Sequence, residues 1–173
     1  MTGATGIWPD IRAGVLTCSD SCFYRGWPDD SGQWLRQTLA AQGLQVVCYA
    51  VVPDEEDRIV ATLLDWVDRQ GCDLILTTGG TGLGPRDVTP EATARVIQRA
   101  APSLLEYARW QTGQSNPLAY LSRGIAGVRG HCLIVNLPGN VKAVQEYWHA
   151  LQPLLEHGLA LLKGHHPHPR SLT

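Results

Sequence analysis

Between Thr77 and Glu91 the chain reads TTGGTGLGPRDVTPE, with glycines at 79, 80, 82 and 84 directly after the apolar run Leu74-Ile75-Leu76. Glycine accepts positive φ and lets main-chain N–H groups approach a ligand with no Cβ in the way. Successive N–H groups in such a turn form a concave anion site, and a helix N-terminus behind it strengthens the field. The sequence offers that terminus: Thr89 is the expected N-cap, Pro90 suits the first helical position, and Glu91 complements the dipole. Glycines alone are equally compatible with a tight surface turn, and it is the charged residues that tilt the reading toward chemistry. Asp87 stands beside the expected cradle as an oxygen ligand for Mg2+, which takes one or two carboxylates together with substrate oxygens and water. Asp54, in VVPDEE, is a second such carboxylate, or alternatively the N-cap of a following helix. Arg86 would neutralise phosphate or simply pair with Asp87, and Ser19 and Asp20, in TCSDSC, would bond a ligand or close a local turn.

Other familiar chemistries find no anchor. A P-loop needs Gly-Lys-Ser/Thr after its glycines, whereas this chain has Gly84-Pro85-Arg86. The dinucleotide fingerprint G-x-G-x-x-G and the nucleophile elbow G-x-S-x-G are both absent. The histidines of the C-terminal GHHPHPR, broken by prolines, read as a solvated tail rather than a metal site.

The elements that must position these loops follow an alternating order. IRAGVLTC (11–18), LQVVCYAVV (44–52), DLILT (73–77) and HCLIVN (131–136) are apolar, β-branched runs that read as buried strands. Between them lie helical patterns: one over 29–43 with Ser31 as N-cap, and one carrying Ile59, Leu63, Leu64 and Val67 that stops near Gly71. Two more are expected over 89–100 and 103–110. A long final stripe, Val141, Val144, Trp148, Leu151, Leu155, Leu159 and Leu162, should be kinked or divided at Pro153. Near-continuous apolar strands alternating with amphipathic helices imply a single doubly wound α/β domain, a mostly parallel sheet with helices on both faces. Such sheets bind ligands beyond the carboxyl ends of their strands, where TCSDSC, VVPDEE, TTGGTG and NLPGN all emerge. Residues 11–164 form that domain, with an N-terminal extension over 1–10 and a tail over 165–173.

Composition narrows the classes of function. A formal charge of −2 argues against a general nucleic-acid binder, and no apolar run reaches the ~18 residues of a membrane span. The N-terminal stretch has neither a basic leader nor an apolar core, so no signal peptide is expected. Cys18, Cys22, Cys48, Cys72 and Cys132 are odd in number and contain no C-x-x-C pair, which suits reduced thiols in a cytoplasmic protein. The six tryptophans read mostly as core or subunit contacts, although Trp27, in the long loop after the first strand, could cover a planar ligand.

LILTTGGTGLGPRDVTPEAT resembles the central motif of the molybdopterin adenylyltransferases, the MogA/MoaB-type family, and of the related G domain of gephyrin. LTCSDSCFYRGWPDDSG, VVPDE, LSRGIAGVRG and LIVNLPGN extend the resemblance roughly from Ile11 to Gly164. The resemblance implies molybdenum cofactor biosynthesis, with AMP passing from Mg-ATP to the terminal phosphate of molybdopterin and pyrophosphate leaving. By motif position Asp54 and Asp87 would be the catalytic acids that handle Mg2+ and ATP. Thr78, Gly79, Gly80, Thr81 and Arg86 would hold nucleotide phosphate, and Ser19, Asp20 and Ser122 would orient the pterin. Asn136, Pro138 and Gly139 would line the nucleotide side, with Asn140 capping the last helix. Many relatives carry Ser or Ala where this chain has Gly124: a small residue is retained, and one hydroxyl contact of the family is put in question. The resemblance also implies a homo-oligomer, a trimer before a hexamer, and hand-off of the product to a molybdenum-insertion protein. Within the same family, a MoaB-like protein that binds pterin with little catalysis and a self-associating scaffold are the alternatives.

Overall fold

The computed structural model describes residues 6–165. Strands β1 (Arg12–Cys18), β2 (Gln45–Val52), β3 (Leu74–Thr78) and β6 (Cys132–Leu137) run parallel, and β5 (Ala126–Arg129) and β4 (Arg99–Ala100) extend the sheet antiparallel. The order across the sheet is β2-β1-β3-β6-β5-β4. Helices α1 (Asp20–Arg25), α2 (Asp30–Ala41), α3 (Glu56–Asp68), α4 (Thr89–Val96), α5 (Pro102–Gly113) and α6 (Val141–Leu162) connect and cover it.

Side-chain alternation along the strands divides the core between two faces. Ala13, Val15, Leu74, Leu76, Leu133 and Val135 face one apolar cluster with Leu35 and Leu39 of α2, Leu105 of α5 and Trp148 and Leu151 of α6. Leu16, Cys18, Ile75, Cys132 and Ile134 face the other, under Ile59 and Leu63 of α3 and Ala92 and Val96 of α4. The sheet is thus buried on both sides, which is why its central strands show no polar alternation in the sequence.

Four local expectations are corrected. The N-cap of α2 is Asp29, which accepts from Gly32 N, while Ser31 donates to the Gly139 carbonyl at 2.7 Å. Thr89 lies inside α4 rather than capping it, and its hydroxyl donates to the Gly79 carbonyl. The helix expected to reach residue 100 stops at Val96: Ile97 turns extended, Gln98 N bonds Val128 O, and Arg99 and Ala100 pair with β5. Pro153 does not divide the last helix. It sits on the exposed side, where one lost N–H bond is tolerable, while buried Leu151 and Leu155 hold the helix down on either side.

Candidate active site

From β1 the chain moves to β2 on one side and then returns across β1 to β3 on the other, so the crevice between the carboxyl ends of β1 and β3 is the point where strand order reverses. The glycine turn leaves β3 here. Gly79 has φ +93°, and a Cβ on it would collide with the Cys18 carbonyl, so the turn is pressed against the end of β1. Gly80, at φ +66°, packs equally closely on the Thr89 hydroxyl, and a Cβ there would lie 2.9 Å from Asp54 Oδ1. The N–H groups of Gly80, Thr81 and Gly82 donate to no protein group among the described residues. That is the arrangement an anion cradle requires.

Two clefts adjoin at this turn, sharing Gly80, Gly139 and Asn140 as their common wall. The first, about 430 Å3, is lined by Ser19, Asp29, Ser31, Asp54, Thr78 and Gly79 among others. The second, about 370 Å3, takes in Thr81, Asp87, Ser122 and Pro138 together with the apolar Leu118 and Leu121. Of the residues singled out in the sequence, Ser19, Asp54, Thr78, Gly79, Gly80, Thr81, Asp87, Ser122, Pro138 and Gly139 therefore meet at one rim. Asp20 and Arg86 flank it.

Asp54 does not cap a helix. Its Oδ2 accepts from Asp20 N at 2.9 Å, its own N–H donates to Asp20 Oδ1 at 3.0 Å, and its Oδ1 is buried without any hydrogen-bond partner. Burial raises the pKa of Asp54 above the ordinary carboxylate value, and the charges of Asp20 and Asp87 add to the rise. Asp87 is thus near enough for its charge to be felt. Arg86 pairs with Asp20 rather than Asp87, reaching Oδ2 with Nε at 2.9 Å and Oδ1 with Nη2 at 3.1 Å. These bonds hold the Asp20 carboxyl below its usual range. Asp87 folds into its own turn, where Oδ2 accepts from Gly84 N at 2.9 Å.

Several placements differ from the sequence reading. Ser19 is the N-cap of α1, its Oγ accepting from Cys22 N. Thr78 donates to the Pro138 carbonyl at 2.7 Å, tying the glycine turn to the loop after β6. Asn136 is not brought to either cleft: it is fully buried on the α4 face, its amide donating to the Thr77 and Thr93 hydroxyls and accepting from Ile125 N. Gly124 packs against Asn136, where a Cβ would come within 3.1 Å of the Asn136 carbonyl, so a larger residue there meets core and not ligand. Trp27 is exposed and lines neither cleft. Cys18 lines that cleft, but burial pushes its thiol up to about 12, so it remains protonated and unreactive. His166 and His168 of the C-terminal stretch lie outside the described residues.

One residue of evident consequence escaped the sequence reading. Arg123 donates to the carbonyls of Gly82 at 2.8 Å and Asp87 at 2.7 Å and forms an ion pair with Glu91, while its own N–H bonds Thr81 O. It clamps the distal half of the glycine turn to α4. The sequence showed only a polar Ser-Arg pair between elements, with no local signal of a partner some 41 residues away.

The fold and this rim define an α/β crevice protein with a bare-amide anion turn flanked by two carboxylates. A family model described as "Probable molybdopterin binding domain" matches residues 14–157. The chain is 38% identical over 158 residues to a molybdopterin adenylyltransferase of Helicobacter pylori, covering 90% of each chain. It is 43% identical over 153 residues to the molybdenum cofactor synthesis protein cinnamon of Drosophila melanogaster, covering 88% of this chain but 26% of that longer one. Among solved structures, the molybdopterin biosynthesis enzyme MoaB of Thermus thermophilus superposes with a TM-score of 0.84 at 47% identity, covering 89% of this chain and 97% of that one. The chain belongs to the molybdopterin-binding family of MogA- and MoaB-type proteins.

Proposed function

We propose that this protein acts in molybdenum cofactor biosynthesis as a molybdopterin adenylyltransferase. In the reaction, an oxygen of the terminal phosphate of molybdopterin attacks the α-phosphorus of ATP. A new P–O bond forms, the bond to the β-phosphate breaks, and pyrophosphate leaves. The attacking oxygen is already anionic at neutral pH, so the protein need only position the reactants and neutralise charge. That demand matches a site with free amides, acids and hydroxyls.

The observation that carries the reading is the buried, unpartnered Oδ1 of Asp54 packed against Gly80, in the turn whose N–H groups have no protein partner among the described residues. An acceptor in that state calls for a cation or a donor from a ligand. Among the described residues no group of three or more His, Cys, Asp or Glu is placed to hold a metal by itself. One or two carboxylates completed by phosphate oxygens and water is the donor set Mg2+ prefers, and Asp54 and Asp87 fit it. Bound there, Mg2+ would neutralise charge on the triphosphate. The amides of Gly80 to Gly82 would hold phosphate oxygens, Thr78 would fix the turn against Pro138, and Arg86 and Asp20 would set the position of Asp54.

Release of pyrophosphate from ATP, dependent on purified molybdopterin and Mg2+, is the expected result in solution. Tight pterin binding with no pyrophosphate would instead identify a binding-only protein. We also propose that the chain self-associates, as a trimer before a hexamer, and passes its product to a molybdenum-insertion protein. Exposed Trp110, Leu118, Tyr120, Leu121 and Leu161 support association, and light scattering would count the subunits. The proposed setting is the cytoplasm; no helix among the described residues is long and apolar enough to cross a membrane.

A further inference from the structure

The floor of the second cleft contains a hydroxyl with nothing to bond. Tyr147 of α6 is 1% exposed, yet its hydroxyl completes no hydrogen bond with any protein group. A buried hydroxyl in that condition is destabilising, and native cores retain few of them without a cause. Its polar neighbours are the hydroxyls of Ser122 and Thr112, which line the same cleft. Thr112 spends its proton on the Ala108 carbonyl at 2.9 Å, so it can accept but has no O–H left for a ligand.

Ser122 is different. Its main chain is fixed, with N–H donating to Ala119 O at 3.2 Å and its carbonyl accepting from Arg109 Nη1 at 3.3 Å. Its hydroxyl, however, has only contacts at the limit of bonding distance, 3.5 Å to Thr81 Oγ1 and 3.4 Å from Gly124 N. A loosely held hydroxyl thus stands beside an unpartnered one, in a cleft whose other walls include apolar Leu118, Leu121 and Pro138. Apolar walls with a few convergent polar groups suit a planar ring better than a triphosphate. Asp54 and Gly79 line the other cleft, while Thr81, Gly82 and Asp87 bring one side of the glycine turn into this one.

We propose that Tyr147 is a positioning residue for Ser122: its O–H donates to Ser122 Oγ, turning the Ser122 O–H toward an acceptor atom on the fused ring of molybdopterin in the second cleft. The proposal rests on the adenylyltransferase reading, in which the resemblance already gives Ser122 to the pterin, and adds Tyr147 behind it. Burial raises the Tyr147 pKa, so the phenol keeps its proton at neutral pH and remains a donor. Only hydroxyl rotations and a small change at Ser122 are needed, with no main-chain movement.

Tyr147→Phe removes a single oxygen, and the proposal gives that change two effects of opposite sign. Without substrate, loss of an unpartnered buried hydroxyl should raise Tm by about 2–4 °C. The Kd for purified molybdopterin, followed by tryptophan fluorescence, should rise about 5–10-fold, with the Kd for ATP unchanged. Ser122→Ala should weaken molybdopterin binding by a similar factor. Adding Tyr147→Phe to Ser122→Ala should then cost less than about a further 2-fold, because both act through one contact. An unchanged molybdopterin Kd, full additivity with Ser122→Ala, or a fall in Tm would overturn the proposal. So would weakening confined to ATP, which would put the nucleotide in this cleft. Failure of the unaltered protein to bind molybdopterin at all would sink the adenylyltransferase reading itself, and this inference with it.

Discussion

The loop after β2 presents Asp54 with Oδ2 on the Asp20 N–H and Oδ1 bare, whereas the loop after β3 turns Asp87 back on itself, with Oδ2 on Gly84 N. Both acids stand against the glycine turn, Asp54 at Gly80 and Asp87 at Gly82 and Gly84, and by residue type they look equivalent. Their surroundings separate them. Asp54 is held by a neighbouring loop and has no donor for its second oxygen, and burial works against its charge. Asp87 braces the glycine turn, whose distal half Arg123 fixes from outside. An acid left bare by a rigid frame is prepared for a ligand, while an acid bonded within its own turn first of all sets that turn's shape.

The largest expected effect is at the bare acid. Asp54→Asn should lower AMP transfer by about 10²–10³, the range for losing one preorganised electrostatic group. Its Tm at neutral pH should not fall, since the charge removed is one that burial disfavours. Asp87→Asn should lower turnover on the order of 10², with pterin binding much less affected, because the amide oxygen can still accept from Gly84 N. Equal losses of binding and turnover at Asp87 would instead point to a collapsed turn.

Arg123→Ala comes next. It removes two donors to main-chain carbonyls and a partly exposed ion pair, so a loss of about 1–2 kcal/mol in denaturant unfolding is expected, with about 10-fold slower turnover. Arg123→Lys should restore little, because one ammonium cannot reach Gly82, Asp87 and Glu91 together. A variant as active as the parent would remove the clamp from the account.

The smallest effects concern titration and the outer pair. The Asp54 carboxyl, followed by 13C NMR, should titrate above the ordinary carboxylate value, and its pKa should drop when Asp87 is made Asn. A raised folded-state pKa means that stability is full at low pH, with both states protonated, and declines as pH rises through the shifted value. Asp20 has the opposite sign: its pair with Arg86 stabilises above the unfolded carboxylate pKa and is lost as pH falls through the lowered one. Because that pair is largely exposed, Arg86→Ala should cost only a few-fold in turnover, by letting Asp54 drift.

How much of this was legible in the sequence depended on range and parity. The parallel strands and the glycine turn were readable because apolar runs and glycine spacing are local signals. The Asp20–Arg86 pair spans 66 residues and the Arg123 clamp 41, and nothing in composition announces either. Asn136, expected on the nucleotide side, is instead buried away from both clefts, and its strand carries a signal for that. Cys132 and Ile134 of the same strand face the α3–α4 side, and strand alternation puts residue 136 there with them, under Thr93. Two-residue β4 was too short to show a pattern, and the stop at Val96 is set by pairing with β5 rather than by a breaker.

Electron paramagnetic resonance of Mn2+, standing in for Mg2+, tests the central claim most directly. The account predicts tight Mn2+ binding only when ATP is also present, because the protein's two carboxylates need phosphate oxygens to complete the site, and loss of that ternary complex in Asp54→Asn. Mn2+ held equally well without ATP, or with Asp54 replaced, would contradict it.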